Sequence, residues 1–485
     1  MRVADLIAGT GVVVVQGSPE VAITGLASDS RKVTAGALFA ALPGSTADGA
    51  AFVPAALSAG ATAILVATRT AVSVPLDVTL LRADEPRAAL AHLAARFYPR
   101  QPATIVAVTG TNGKTSIAEF TRQIWAALGH RAASLGTIGV VKPDGAVYGS
   151  LTTPDPITLH QTLDALAAEG ITHLALEASS HGLDQHRLDA VRLSAGAFSN
   201  LGRDHLDYHP TVDAYFAAKL RLFTNVLPDT AAAVIHADDP RAAGVIAATR
   251  HRRLRLFTTG HSGETLRLVE ASPDGFEQIL TIAHAGKTHR VRLPLLGTYQ
   301  ATNALIAAAL AIATGAAPDK AIAAIATLTG VKGRLDVVGR HNGGIAVVDY
   351  AHKPEALAAA LDALRPFATG KLITVFGCGG NRDKGKRPIM GEIAARKSDI
   401  VIVTDDNPRK ELAATVRAEI LAGAEGAREI GDRADAIHAG VKLLGPGDVL
   451  LVAGKGHEPG QIVGDVTLPF SDHEQIEKAI REAKP

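Results

Sequence analysis

Apolar residues along this chain gather into short unbroken runs with longer, interrupted stretches between them. The runs Thr104 to Val108, His173 to Leu176, Ile345 to Val348, Leu372 to Phe376, Ile400 to Thr404 and Val449 to Val452 are each four or five residues long. That length and continuity predict strands buried on both faces. Between them lie Ala-rich stretches such as Ala301 to Thr314, many of them broken by charge at helical spacing, which predict amphipathic helices. Strand alternating with helix predicts an α/β fold with parallel sheets covered on both sides. The pattern breaks at Tyr98-Pro99-Arg100-Gln101-Pro102, where the prolines disfavour helix, and again near Gly333-Arg334. These breaks divide the chain into residues 1–100, 101–332 and 333–485.

Composition narrows the class. A length of 485 residues suggests roughly three domains. Hydrophobic residues make up 47% and charged residues 20%, enough for each domain to bury a core. Aromatic residues are only 4%, so those cores rest on Ala, Val, Leu and Ile. A net charge of +1 leaves no electrostatic footprint for nucleic acid or an anionic membrane. The single cysteine, Cys378, excludes an internal disulfide and a cysteine-built metal site. No apolar run reaches the ~18 residues of a membrane span. Val12 to Val15 is too short for a signal peptide, and Asp5 stands where basic residues belong. A cytoplasmic protein, without membrane insertion and monomeric, is expected.

The first chemistry follows the strand Thr104 to Val108. Thr109-Gly110-Thr111-Asn112-Gly113-Lys114-Thr115 leads into a helical run through Leu128. Strand, Gly-rich turn and helix form the setting of a phosphate loop. The glycines let backbone N–H groups converge on phosphate oxygens, and the helix N-terminus adds partial positive charge. Lys114 would reach the terminal phosphates of ATP, and the Thr115 hydroxyl would ligate Mg²⁺. Two residues separate Gly110 from Gly113, where the general loop has four between its first Gly and the Gly-Lys pair. A motor or switch ATPase of the usual kind is therefore a poor match. Glu177 follows the predicted strand His173 to Leu176, and a carboxylate at the carboxyl end of a parallel strand sits where such sheets bind ligands. His205 lies in Arg203-Asp204-His205-Leu206-Asp207-Tyr208-His209, a segment dense in potential ligands.

The short loop Thr-Gly-Thr-Asn-Gly-Lys-Thr resembles that of the Mur ligases and the related folylpolyglutamate synthetases, which join an amine to a carboxylate with ATP. Further matches run over almost the whole chain. The resemblance implies a small α/β uridine-binding domain, a central parallel-sheet ATPase domain and a C-terminal Rossmann-like domain. It implies that Glu177, His205 and Thr115 hold Mg²⁺. It also implies that Lys219, by itself a helix-surface lysine, is carbamylated by CO₂ and helps hold a second Mg²⁺. That modification needs a neutral amine, so burial or nearby cations must lower the lysine pKa. Lys114, Lys219, His205 and Arg334 are then the catalytic set. ATP contacts extend from Gly110, Thr111, Asn112, Gly113, Lys114 and Thr115 to Asn303, Arg334, Asp349 and His352.

The same resemblance points to the branch that extends the peptidoglycan stem at its third amino acid, so the donor carries a UDP-muramoyl group. Ser30, Thr152, Thr153, Ser179, Gln185 and Arg187 match its contacts. Leu151 stands where the family often has Asn before the Thr pair. The acceptor would be read by Arg382, Asp406, Asn407, Pro408, Arg409, Gly454 and Glu458. Asp-Asn-Pro-Arg marks members that take meso-diaminopimelate. Its second carboxylate can meet Arg409 in a charge-assisted fork, and lysine has none. Glu458 would pair with the far ammonium, and Pro459-Gly460 follow where the family often has an aromatic residue. The implied reaction transfers the γ-phosphate of ATP to the D-Glu side-chain carboxylate of UDP-MurNAc-L-Ala-D-Glu. Diaminopimelate then attacks the acyl phosphate. Ligands drawn from three domains imply closure on substrate. The alternatives are a lysine-adding ligase of the same family and, from another class, a nucleotide-driven switch or a binding module.

Overall fold

The structure is a computed structural model and describes residues 1–44, 48–147, 149 and 151–483. The chain packs as two compact units, Met1–Thr259 with Ala309–Ala317, and Gly260–Ala308 with Pro318–Pro485.

The first unit holds two sheets. The smaller has the order Val13–Gln16, Thr79–Ala83, Ala63–Ala67, Ala37–Ala40, Gly25–Ala27, antiparallel only at its first pair. The larger runs Arg255–Gly260, Ala232–His236, Ala195–Phe198, Thr104–Thr109, His173–Glu177, Ala132–Gly136, all parallel, and ends in the antiparallel ribbon Gly139–Lys142 and Gly145–Val147. Ile105, Val106, Ala107 and Val108 are wholly buried, as a strand covered on both faces must be. Strand Thr104–Thr109 lies between His173–Glu177 on one side and Ala195–Phe198 on the other, where the chain order reverses. Such switch points open a crevice at the carboxyl ends of the strands. The two sheets are tied by helix Pro86–Phe97 packing on helix Pro156–Ala168 and by Arg100 on the Asp164 carboxylate at 2.7 Å.

The second unit contains an antiparallel meander, Leu266–Asp274, Glu277–His284 and Lys287–Leu293. The alternation of strand and helix did not predict it. These strands bury one face only, so Leu266 and Leu268, or Leu280 and Ile282, alternate with exposed or half-buried neighbours and form no continuous apolar run. The unit's main sheet has the order Asp336–His341, Gly344–Asp349, Val449–Ala453, Leu372–Phe376, Ile400–Val403, Arg428–Glu429, parallel beyond its first pair. A separate hairpin pairs Gly460–Val463 with Val466–Pro469. Among the described residues no helix is long and apolar enough to cross a membrane.

Candidate functional site

The Gly-rich loop lies at the switch point. Gly110 has φ of 148°, and a Cβ there would fall 1.9 Å from the Ser199 hydroxyl, so only glycine fits. Gly113, at φ 84°, precedes the first turn of helix Lys114–Ala127. The loop is moored on the neighbouring strand end. Thr111 N–H donates to the Asn200 carbonyl at 2.9 Å, Asn112 N–H to Asn200 Oδ1 at 2.9 Å, and Ser199 Oγ to the Asn112 carbonyl at 2.7 Å. Ser199 and Asn200 escaped the sequence reading. Their only signal was their place just after an apolar run.

Two lysines converge on this loop. Lys114 Nζ donates to the carbonyls of Gly110 and Thr111 at 2.9 and 2.8 Å. Lys219 Nζ donates to the same Gly110 carbonyl at 2.7 Å and lies 4.4 Å from the Tyr215 ring centroid. Lys219 is not at the helix surface but 1% exposed. Helix Val212–Arg221 presents it inward beside Tyr215 and Ala218. Burial, and next the charge of Lys114, hold its pKa well below the ordinary lysine value. A lowered pKa enlarges the neutral, nucleophilic fraction of an amine.

Glu177 ends its strand 1% exposed. Its carboxylate accepts from Thr137 N–H at 2.8 Å and Thr137 Oγ1 at 3.2 Å. A Cβ on Gly136 would collide with it at 2.0 Å. Among the described residues no Lys, Arg or His lies within ion-pair distance of it. A buried carboxylate without a counter-cation is costly, so Glu177 could take a cation, while among the described residues no three His, Cys, Asp or Glu side chains gather to hold a metal. His205 sits at φ 53° with Nε2 3.6 Å from Asp204 Oδ2, and its ring stands edge-on to His181 at 4.9 Å.

The residues expected to bind the donor form one network next to Glu177. Thr152 Oγ1 is 3.0 Å from Thr137 Oγ1, and Thr153 Oγ1 donates to the Glu177 carbonyl at 2.7 Å. Thr153 Oγ1 also accepts from Ser179 N–H at 3.0 Å, and Ser179 Oγ caps helix Ser180–Asp184 by accepting from Gly182 N–H. Arg187 donates to the Thr153 carbonyl at 2.6 Å and to Gln185 Oε1 at 2.7 Å, and Gln185 Nε2 reaches Tyr208 Oη at 3.1 Å. Thr137 and Tyr208 are the members that sequence reasoning did not single out. Ser30, on the turn Ser30–Lys32, shares no hydrogen bond with this group among the described residues; Asp29 caps its turn.

In the second unit, Asp349 ends strand Gly344–Asp349, and both its oxygens are taken by backbone. Leu335 N–H and Ala351 N–H each donate to it at 2.8 Å. Burial raises its pKa against the pull of Arg334 and those two bonds. Arg334, held by this turn, stacks 5.0 Å from the Tyr350 ring centroid with a buried Nε that has no hydrogen-bond partner among the described residues. Asn303 Nδ2 donates to Gln300 Oε1 at 2.9 Å, and Gln300 Nε2 reaches the Arg334 carbonyl at 3.3 Å. His352 Nδ1 lies 2.8 Å from the Tyr350 carbonyl, and burial lowers its pKa.

The loops ending strands Leu372–Phe376, Ile400–Val403 and Val449–Ala453 carry the remaining candidates. Asn407 Nδ2 donates to Glu458 Oε2 at 3.0 Å, while Asn407 Oδ1 accepts from Lys455 Nζ at 3.0 Å and Ile462 N–H at 2.9 Å. Lys455 is wholly buried and also lies 3.3 Å from Glu458 Oε2. Gly454, at φ 117°, lets Asp406 approach, since a Cβ there would meet Asp406 Oδ2 at 2.5 Å. Burial raises the Asp406 pKa against nearby Arg433 and Lys455. Pro408 is buried beside Arg409, whose backbone takes φ 51° and whose Nη1 donates to the Gly380 carbonyl at 2.9 Å. Arg382 is exposed on the facing loop. Asn407 is thus bonded within the protein through both side-chain polar atoms, and one Glu458 oxygen is shared with Lys455.

Known proteins match along nearly the whole chain. Residues 22–98 match the model described as "Mur ligase family, catalytic domain", 108–311 the Mur ligase middle domain, and 333–456 the Mur ligase glutamate ligase domain. A Bradyrhizobium diazoefficiens protein named UDP-N-acetylmuramoyl-L-alanyl-D-glutamate--2,6-diaminopimelate ligase is 56% identical, over 99% of each chain. An Agrobacterium fabrum protein of the same name is 55% identical over 95% of this chain and 94% of its own. A solved structure of a ligase of that name superposes with TM-score 0.71 at 33% identity, covering 95% of both chains. MurF from Thermotoga maritima in complex with ADP shares the fold, with TM-score 0.62 at 20% identity, covering 95% of this chain and 97% of its own.

Proposed function

The chain belongs to the Mur ligase family of ATP-dependent, amide-bond-forming ligases, and from that premise we propose that it adds meso-diaminopimelate to the D-Glu side-chain carboxylate of UDP-MurNAc-L-Ala-D-Glu in peptidoglycan synthesis. The observation that carries the choice of amino acid is the C-terminal cluster. There Arg409 and Arg382 offer cations, and Asp406 and Glu458 offer carboxylates, on loops at the ends of parallel strands. An acceptor with a carboxylate and an ammonium at its far end is complementary to that pairing. Lysine lacks the far carboxylate, so its binding would leave the guanidinium unmatched.

The proposed division of labour follows domains 1–100, 101–332 and 333–485. The loop Gly110 to Thr115 cradles the ATP phosphates, and Lys114 and Arg334 offset the charge that moves during transfer. Asn303, Asp349 and His352 serve the nucleotide. Asp349 would do so largely by shaping the Arg334 turn, since its oxygens already accept two backbone N–H groups. Thr152, Thr153, Ser179, Gln185 and Arg187, with Ser30 at the uridine end, orient the donor so that its carboxylate meets the γ-phosphate. The resulting acyl phosphate is attacked by the diaminopimelate amine, and phosphate leaves. Thr115, Glu177 and His205 are oxygen and nitrogen donors that would hold Mg²⁺, with Lys219 joining them as its carbamate. When bound, Mg²⁺ would neutralise phosphate charge. A cytoplasmic, monomeric enzyme completes the proposal.

Phosphate release with ATP, Mg²⁺ and UDP-MurNAc-L-Ala-D-Glu tests this, with diaminopimelate or lysine added in parallel. Release dependent on diaminopimelate, at least ~10-fold above lysine, is expected from one charge-assisted bond. Release with lysine alone would transfer the assignment to a lysine-adding ligase, and release needing neither donor nor acceptor would point to a nucleotide switch.

A further inference from the structure

Arg409 and Arg382 stand on different loops, so the distance between their guanidinium groups depends on what joins those loops. The junction is a fully buried arginine that the reaction itself does not require. Arg387, the second residue of helix Lys386–Lys397, is 0% exposed. Its Nη1 donates to Glu411 Oε2 at 3.0 Å and Glu419 Oε2 at 2.6 Å. Its Nη2 donates to Glu411 Oε1 at 3.1 Å and to the Gly379 carbonyl at 3.2 Å. Glu411 follows Arg409 by two residues, and its Oε1 also accepts from the Asn381 N–H. The Asn381 side chain answers, with Oδ1 accepting from Lys410 N–H at 3.0 Å.

The two loops are therefore stitched reciprocally, with Arg387 clamping both. The contact is close: a Cβ on Gly380 would fall 1.8 Å from the Pro408 carbonyl. Both Asn381 and Arg409 take left-handed backbone conformations, at φ 52° and 51°. Such conformations persist only where surrounding bonds hold them. The bonds from Arg387 and from Asn381 keep the Glu411 carboxyl ionised, its pKa held down at about 2.

We infer that Arg387 and Glu411 are positioning residues that set the spacing of Arg382 and Arg409, and so determine selection of an acceptor bearing a second carboxylate. The inference rests on the reading of Arg409 as a contact of that carboxylate. Glu411→Gln keeps the shape and removes the charge. It should raise the diaminopimelate KM by about ten- to a hundred-fold, the scale of a misplaced binding group, and leave kcat and the ATP KM within about twofold. Since Glu411 acts through Arg409, the double variant with Arg409→Ala should fall short of the product of the two single effects. If Glu411→Gln fails to fold, Arg387→Lys, whose ammonium cannot span the same acceptors, should give that rise in diaminopimelate KM in its place. If Arg409→Ala raises the diaminopimelate KM while Glu411→Gln does not, the positioning role is wrong. Strictly multiplicative effects, or an equal rise in the ATP KM, also overturn it. No effect of Arg409→Ala would instead overturn the reading of the site.

Discussion

Two lysines buried to the same depth have opposite surroundings. Lys219 is 1% exposed and Lys455 0% exposed. Lys219 meets a carbonyl, a tyrosine face and the charge of another lysine, which outweighs that of Asp204. Lys455 meets the Glu458 carboxylate and the Asn407 side-chain oxygen. The regions around them differ in the same way. Around the Gly-rich loop, Lys114 and Lys219 both donate to the Gly110 carbonyl, and among the described residues no cation lies within ion-pair distance of Glu177. In the C-terminal region Arg387 and Glu411, Arg433 and Asp472, and Lys455 and Glu458 are matched within the protein. The ion pairs of the C-terminal region hold the shape of the loops that carry Arg382, Arg409 and Glu458.

The comparison is broken most severely at Arg433 and Asp472. Both are wholly buried, and Arg433 also donates to the Ala453 carbonyl at 3.1 Å and the Asp405 carbonyl at 3.3 Å, behind Gly454 and Asp406. Asp472→Ala leaves a buried guanidinium uncompensated and should cost about 3–5 kcal/mol. Denaturant unfolding should show the midpoint falling well below that of the parent protein; an unchanged midpoint would mean the pair does not hold the region's shape. Lys114→Met should do the reverse. It should leave the unfolding midpoint near that of the parent while kcat drops by ~10²–10³, the usual loss of one preorganised charge on a transferring phosphoryl group. A kcat within threefold would remove Lys114 from the catalytic set.

The finest test uses pH, on protein kept free of CO₂ so that Lys219 stays an amine. An unfolded chain protonates Lys219 below the ordinary lysine pKa of 10.5, whereas the folded pKa is lower. Between those values folding expels a proton, so this group makes the native state less stable as pH falls. Lys219→Met removes that dependence. Its melting temperature relative to the parent should be higher at pH 7 than at pH 9.5, and a difference independent of pH would show that Lys219 is not held neutral.

Much of this was legible along the chain. The strand Leu372–Phe376 is a continuous apolar run and was predicted at the residues observed. The predicted helix after Gly113 spans Lys114–Ala127. A continuous apolar run needs burial on both faces whatever surrounds it, and a Gly-rich turn between strand and helix has few other uses. The meander from Leu266 to Leu293 was not legible, because its strands carry apolar residues on one face only.

The sequence by itself determined the alternation of buried strands with helices, the Gly-rich turn between strand and helix, and the residue types available at the carboxyl ends of the strands. These are local properties, set by backbone geometry and by periodicity over a few residues. Only the tertiary structure decided which of those residues are already engaged. Lys219 meets Gly110 across 109 positions, and Lys455 meets Asn407 across 48. Asp349 turned out to be bonded by backbone N–H groups, and Arg387 to join the loops of Gly379 and Glu411. Burial and bonding depend on what the fold brings alongside, and a side chain's charge state follows from both.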